Sequence, residues 1–439
     1  MISALVLAGG LGTRLRSVVG DRPKVLAPVA GRRFLAYLLH QLADAGFEDV
    51  VLCTGYMGDQ VRDAFGKRFR KLNLLYSQEE QPLGTAGALR HALSLIPSET
   101  VAVLNGDSYC QADLAEFLSW HHDKRADASI LLTEMPDTAR FGAVETDSGD
   151  RIHRFGEKNT AGPGWINAGI YAISKRLLAG IPDGVAVSIE RECFPQWMGN
   201  GLYGCRGGGR FLDIGTPESF AEAQRFFSPP GSVDGCRRHV LLDRDGTLNV
   251  ERDYLSDPSQ LQLLPGACAG LKRLQDHGLG LTLVTNQSAI GRGYFDLVQL
   301  NQIHDRLRTM LGDEDVALDG IYYCPHTPEE KCACRKPRTG MIDRASADLG
   351  FDPRDAFVIG DKACDIEMGR NVGATTFLVR TGYGVLEEAA GVQADFIMQN
   401  LDAAADVIVE LTTGTGAAPG VARKASLPPI GEGQASVAP

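Results

Sequence analysis

A chain of 439 residues is long enough for two or three domains, and 44% hydrophobic with 23% charged residues is ordinary globular material. A net charge of −11 argues against a general nucleic-acid binder and leaves phosphorylated small molecules to local basic residues. No apolar stretch approaches the roughly 20 residues that span a bilayer, the N-terminus lacks the basic start of a signal peptide, and ten cysteines make no small disulfide scaffold at this length. The expectation is a cytoplasmic protein with mostly reduced thiols and neither nucleic acid nor membrane as partner.

In chain order, strands are predicted at Ala4–Ala8, Asp49–Thr54, Val101–Asn105 and Ala128–Thr133, with helices between them. Phe34, Leu35, Leu38, Leu39 and Leu42 recur at helical spacing between the first two strands. This alternation predicts a mainly parallel sheet covered by helices on both faces over residues 1–227. A turn-rich segment, Ser228-Pro-Pro-Gly-Ser-Val-Asp-Gly235, marks a linker at 228–237. The pattern restarts with strands at His239–Asp243, Leu279–Thr285 and Ala356–Gly360 and a helix at Asp296–Leu311, giving a second unit at 238–411. Residues 412–439 are rich in Gly, Ala, Pro and Ser without an aromatic, and are expected to be disordered. The fold class is α/β, two doubly wound domains, and the linker predicts that they move independently.

In the first unit Gly9, Gly10 and Gly12 follow a strand, with Thr13 and Arg14 at the start of a helix. Glycines let backbone N–H groups close on phosphate oxygens, and a helix N-terminus favours negative charge. Pro23-Lys24 supplies a second cation. Further on come Pro82-Leu-Gly84-Thr85-Ala-Gly87, Leu104-Asn-Gly-Asp107, Gly156-Glu157-Lys158, Asn167-Ala-Gly169 and Phe211-Leu-Asp213-Ile-Gly-Thr-Pro217. In this order these segments closely resemble the sugar-1-phosphate nucleotidylyltransferases, a Rossmann-like, GT-A-like fold. The resemblance implies attack by a sugar 1-phosphate oxygen on the α-phosphorus of a nucleoside triphosphate, releasing pyrophosphate. It implies that Asp107 and Asp213 hold Mg²⁺, that Arg14 and Lys24 contact the triphosphate, and that Lys158 contacts the sugar phosphate. Glu157, Glu190, Asn167 and Gly142 would line the sugar pocket, and Gly84 and Thr85 the base. Asp213 is also placed to cap the helix from Pro217, and Glu190 to begin one. Gln78-Glu79-Glu80-Gln81 resembles the guanylyl branch and suggests GTP; its plain alternative is a solvated acidic loop. Arg33 stands where many members of the family have proline.

In the second unit Asp243-Arg-Asp245-Gly-Thr247 ends an apolar strand. One aspartate can attack phosphorus to give an acyl phosphate, while a second, two residues on, protonates the leaving alkoxide and then activates water. Crowded anions call for Mg²⁺ and a lysine. Thr285-Asn286-Gln287, Arg335-Lys336 and Gly360-Asp361-Lys362-Ala-Cys-Asp365 follow in order. The set resembles the haloacid-dehalogenase (HAD-like) phosphatases. That implies Asp243 as nucleophile, Asp245 as acid/base, and Thr285 with Lys336 on the transferring phosphoryl. Mg²⁺ would lie on Asp243, Asp361 and the carbonyl of Asp245, while Asp365 either binds metal through water or caps a helix. Cys324-Pro-His326 and Cys332-Ala-Cys334 fit a closed tetrahedral Zn²⁺ site, structural rather than catalytic. With Asn286 through Gly293 and Cys334 through Pro337, the zinc loop resembles the D-glycero-D-manno-heptose-1,7-bisphosphate 7-phosphatases, with histidinol-phosphate phosphatases as relatives. Arg292, Arg335 and Lys362 would then take the distal phosphate, or be ordinary surface charge.

The two resemblances join in one expectation. The phosphatase would remove the 7-phosphate of a heptose 1,7-bisphosphate, and the transferase would convert the heptose 1-phosphate to GDP-heptose with GTP. The rivals are a mannose 1-phosphate or other hexose 1-phosphate substrate, a histidinol-phosphate-type phosphatase, and a non-catalytic role for one domain. The oligomeric state is not legible.

Overall fold

The computed structural model describes residues 2–10, 15–158, 161–228 and 237–413. Two sheets form the framework. The first has eight strands in the order Leu202–Gly208, Ala128–Met135, Gly164–Ser174, Thr100–Asn105, Ser3–Leu7, Asp49–Thr54, Leu72–Gln78 and Arg68–Phe69. Its centre is parallel: Ser3–Leu7 lies between Asp49–Thr54 and Thr100–Asn105. Gly164–Ser174 runs antiparallel to both its neighbours, so the sheet is mixed where the sequence suggested mainly parallel. Val50, Val51 and Leu52 on one strand, and Val101, Val103 and Leu104 on another, are fully buried, as strands covered on both faces require. The predicted helix forms as Phe34–Asp44 and buries the apolar residues that announced it.

The second sheet has six strands, all parallel: Gly320–Cys324, Gly280–Asn286, His239–Leu242, Phe357–Gly360, Thr375–Val379 and Phe396–Met398. The helix expected from Asp296 spans Leu297–Asp313, with the Asp296 carboxylate accepting from the Gln299 N–H as its N-cap. The last helix, Leu401–Thr413, runs two residues past the predicted boundary at 411. The rest of the expected tail lies outside the described residues. No described helix is long and apolar enough to cross a membrane.

The two units are packed against each other, contrary to the expectation of independent motion. Arg237, assigned to the linker by sequence, is 6% exposed and pairs with Asp319 at 2.8 Å. Arg32, from the first unit, reaches the other oxygen of Asp319 at 3.1 Å. Arg33 donates to the Asp319 carbonyl at 2.5 Å and to the Tyr322 hydroxyl at 3.1 Å. The ring of His239, on the central strand of the second sheet, donates through Nε2 to the Gly31 carbonyl at 2.8 Å. Its Nδ1 then accepts from Thr282 Oγ1 at 3.0 Å. Arg70 with Asp315 at 2.7 Å and Arg68 with Asp313 at 2.9 Å extend the seam. Burial alone would raise the Asp319 carboxyl; Arg237 and Arg32 outweigh it and hold the group well below the carboxylate range. Charges this enclosed are tolerated only when paired, and here each has its partner across or along the seam.

Candidate active sites

The phosphatase-like site lies at the C-terminal ends of three adjacent parallel strands, where open α/β sheets bind ligands. His239–Leu242 delivers Asp243, Gly280–Asn286 carries Thr285 and Asn286 at its end, and Phe357–Gly360 delivers Asp361. Lys336 enters from the loop before the helix Gly340–Leu349, its side chain 1% exposed. Its ammonium bonds Asp243 Oδ1 at 2.6 Å and Asp365 Oδ1 at 2.7 Å. Asp365 also accepts from the Lys362 N–H at 3.1 Å, so it caps its helix and faces the site at once. Asn286 braces Lys336 by accepting from its backbone N–H at 3.1 Å. Thr285 is buried, its hydroxyl held by the Gln287 amide at 2.9 Å.

Burial, with Asp365 and Asp245 nearby and Lys336 opposing, pushes Asp243 up to about 6. Burial together with Asp243 and Asp365 pushes Asp361 up to about 8. Carboxylate oxygens of Asp243, Asp361 and Asp365 lie within 4.8 Å of one another. Asp361 accepts from the Tyr383 N–H at 2.8 Å through Oδ2, while its buried Oδ1 has no partner among the described residues. A Cβ added at Gly246 or Gly382 would meet Asp361 Oδ2 at 2.2 or 2.1 Å, so glycines close the backbone around this carboxylate. An undercompensated oxygen cluster with an unused buried acceptor fits a hard divalent cation such as Mg²⁺.

A cavity of about 290 Å³ opens over this cluster, lined among others by Asp245, Glu251, Tyr254, Arg335 and Lys362. Lys362 pairs with Glu251 at 2.6 Å, and Arg335 donates to the His326 carbonyl at 3.2 Å, tying the cysteine loop to the pocket. Arg292 is exposed and is not among the lining residues. In the cysteine loop, the Sγ atoms of Cys324, Cys332 and Cys334 are 3.4–3.5 Å apart, and His326 Nδ1 is 3.2 Å from Cys334 and 3.6 Å from Cys324. Sulfur ligands at about 2.3 Å from a tetrahedral metal are about 3.8 Å apart, so these four donors fit a closed metal site. Sequence reading missed Arg244, Asn249 and Glu251; nothing in the spacing of Arg244 separates it from surface charge.

The transferase-like site is assembled more loosely. Lys24, in the short turn Lys24–Leu26, is buried and its ammonium holds Asp107 at 2.8 Å. Strand Phe211–Asp213 pairs antiparallel with Ser108–Cys110, setting Asp213 opposite Ser108, and the Ile214 N–H donates to the Asp107 carbonyl at 3.0 Å. The two acids thus sit on adjoining segments, but their side chains have different partners, because Asp213 pairs with Arg140 at 2.9 Å. Arg140 was not foreseen; it precedes Phe141-Gly142, where only the glycine had been noted. Gly106 must be glycine, since a Cβ there would meet the Leu7 carbonyl at 2.4 Å.

Two of the predicted sugar-pocket residues, Asn167 and Glu190, meet. Asn167 donates to the Tyr171 hydroxyl at 3.1 Å and to Glu190 at 3.4 Å. The Tyr171 hydroxyl in turn donates to Glu190 at 3.4 Å. Tyr171, fully buried, was missed because it reads as core. Gly84 (φ +68) opens the helix Gly84–Ala92, and Thr85 Oγ1 accepts from the Ile189 N–H at 2.8 Å, linking this loop to the segment of Glu190. Glu79 accepts from the Leu83 N–H at 3.1 Å and so braces the same loop. Gly9 and Gly10 follow strand Ser3–Leu7, and Glu157 and Lys158 are exposed. Gly12, Thr13 and Arg14 lie outside the described residues.

The nucleotidyl transferase family matches residues 3–228, and a HAD-hydrolase-like family matches residues 333–404. Over 225 residues the chain is 34% identical to the D-glycero-alpha-D-manno-heptose 1-phosphate guanylyltransferase of Aneurinibacillus thermoaerophilus, spanning 51% of this chain and 97% of that protein. Over 174 residues it is 44% identical to the D-glycero-beta-D-manno-heptose-1,7-bisphosphate 7-phosphatase of Haemophilus ducreyi, 38% of this chain and 94% of that protein. A mannose-1-phosphate guanylyltransferase of Mycobacterium tuberculosis is 38% identical over 250 residues, 55% of this chain and 70% of that protein.

Proposed function

Because the chain belongs to the nucleotidyl transferase family over its first half and to the heptose-bisphosphate 7-phosphatase family over its second, we propose that it makes a nucleotide-activated heptose in two steps. The phosphatase half hydrolyses the 7-phosphate of D-glycero-D-manno-heptose 1,7-bisphosphate. The transferase half then joins the heptose 1-phosphate to GMP from GTP, releasing pyrophosphate. The observation that carries this reading is the fusion itself, since one half's relatives are 7-phosphatases of a heptose 1,7-bisphosphate and the other half's relatives are guanylyltransferases of a heptose 1-phosphate. The phosphatase relatives are named for the β anomer and the guanylyltransferase relatives for the α anomer. Hydrolysis at O7 leaves C1 untouched, so a single anomer must serve both steps; our reading takes the α form.

At the phosphatase site Asp243 attacks phosphorus, Asp245 protonates the departing sugar oxygen, and Lys336 offsets charge on the nucleophile and the phosphoryl group. Mg²⁺, held by Asp243, Asp361 and the Asp245 carbonyl, would supply further neutralisation of phosphoryl charge. Cys324, His326, Cys332 and Cys334 would hold Zn²⁺ and keep Arg335 at the pocket. At the transferase site catalysis is mostly positioning. Lys24 and Arg14 take the triphosphate, Asp107 and Asp213 would carry Mg²⁺, and Asn167, Glu157, Lys158 and Glu190 orient the sugar phosphate.

The test supplies heptose 1,7-bisphosphate in each anomer with GTP, ATP, CTP, UTP or dTTP and Mg²⁺, and identifies the nucleotide sugar by mass. GDP-heptose from the α anomer is expected. The likeness to a mannose-1-phosphate guanylyltransferase favours one second reading, a hexose 1-phosphate substrate. Turnover of mannose 1-phosphate matching that of heptose 1-phosphate would replace our reading with that one.

A further inference from the structure

Arg244 stands between the two catalytic aspartates, and its side chain is 1% exposed. A guanidinium so deeply enclosed is costly unless its donors are matched. Nε and Nη2 find their match in Asp245, while the buried Nη1 has no partner among the described residues. Nε lies 3.1 Å from each carboxylate oxygen, and Nη2 lies 2.8 Å from Oδ2. Nη2 also donates to Gln287 Oε1 at 3.0 Å, while Gln287 Nε2 donates back to Asp245 Oδ2 at 3.0 Å. The three side chains therefore close a ring. Asn249 adds a bond to Asp245 Oδ1 at 2.9 Å.

The nucleophile has a separate cation, Lys336, so Arg244 is not needed to balance Asp243. A planar fork gripping a carboxylate fixes its plane as well as its place, which a lysine cannot do. We propose that Arg244, with Gln287, is the positioning residue that aims the Asp245 carboxyl group for both proton transfers of the phosphatase cycle. In the first transfer the Asp243 oxygen bonds phosphorus as the bond from phosphorus to the sugar oxygen breaks. The departing oxygen keeps the electron pair and takes the proton of Asp245. In the second, the Asp245 carboxylate takes a proton from water as the water oxygen bonds phosphorus. The acyl phosphate bond breaks, its electron pair returns to Asp243, and inorganic phosphate leaves. Arg244 reaches the substrate in neither step; it acts through Asp245.

The inference rests on the phosphatase reading, and a double-mutant cycle in the full chain separates the two. Phosphate release from heptose 1,7-bisphosphate is measured for wild type, Arg244→Met, Gln287→Leu, Asp245→Asn and Arg244→Met/Asp245→Asn. Arg244→Met is expected to lower kcat about 100-fold with KM within about threefold, as for a mispositioned acid/base. Gln287→Leu, which removes no charge, should move kcat in the same direction by less. In the Asp245→Asn background Arg244→Met should cost almost nothing further, because there is no acid left to aim. Additive losses, or a raised KM with kcat unchanged, would overturn the proposal and make Arg244 a framework or phosphate-binding residue. Melting curves and nucleotide transfer by the same samples identify a variant that has not folded, in which case Gln287→Leu decides. A wild type that releases no phosphate sinks the phosphatase reading instead.

Discussion

The phosphatase-like pocket and the transferase-like site arrange their charged groups in opposite ways. In the first, Asp243, Lys336 and Asp365 are 8%, 1% and 2% exposed and already bonded together. In the second, the Asp107 side chain is 51% exposed and that of Asp213 24%, each on its own cation. The difference follows the chemistry. A covalent phosphoryl intermediate needs a nucleophile and its counter-charges assembled beforehand in a dry site. A transfer between two large polyanions needs a cleft that admits both, and the substrates bring much of the charge with them.

The contrast can be broken most sharply at Asp243, the proposed nucleophile. Asp243→Asn is expected to lower phosphate release at least about 10⁴-fold, while nucleotide transfer from supplied heptose 1-phosphate stays within about twofold. Parallel loss of both would mean that the sites are not separate. Asp107→Ala should lower nucleotide transfer by about 10²–10³-fold and spare phosphate release; an unchanged transfer rate would remove Asp107 from the site. Cys334→Ser should weaken metal retention roughly 10- to 100-fold, read as zinc content after dialysis, with the phosphatase alone affected. Full retention would show that the four donors do not form a closed site.

A graded effect is expected in the seam, where acidity should act on both halves together. Burial holds His239 down to about 4 against an ordinary 6.5. Below 6.5 the unfolded chain therefore takes a proton that the folded chain refuses. This contribution is complete above about 6.5, declines as pH falls to about 4, and changes no further below that. The loss is roughly 3 kcal/mol at most. Because burial also holds His40, His121 and His304 down, urea unfolding between these pH values should show a slope that is smaller in His239→Asn than in wild type; an equal slope in both would exclude the histidine.

The framework was largely legible because burial on both faces writes long apolar runs. Val101 to Leu104 and Val240 to Leu242 are fully or almost fully buried, and both announce strands. The antiparallel Gly164–Ser174 was not, since strand direction leaves no mark on a single strand's composition. Site residues at strand ends, such as Asp243, Thr285 and Asp361, were read from motif order. Arg140, Arg244 and Tyr171 were not, because pairing across distant segments has no local signature. Arg33 was noticed only as a departure from proline. Its guanidinium now has an account, in the contact with Asp319 and Tyr322 of the other unit.

The seam has a consequence for dissection. Separating the halves would strip Asp319 of Arg32 and leave the Gly31 carbonyl without the His239 ring. Each fragment would then show water a face built for its sister, with solubility and folding to suffer. A chain nicked between Ser228 and Gly235 should accordingly stay a single particle. The fusion is thus a mutual scaffold as well as a tether, and neither catalyst can be judged by what its isolated piece does.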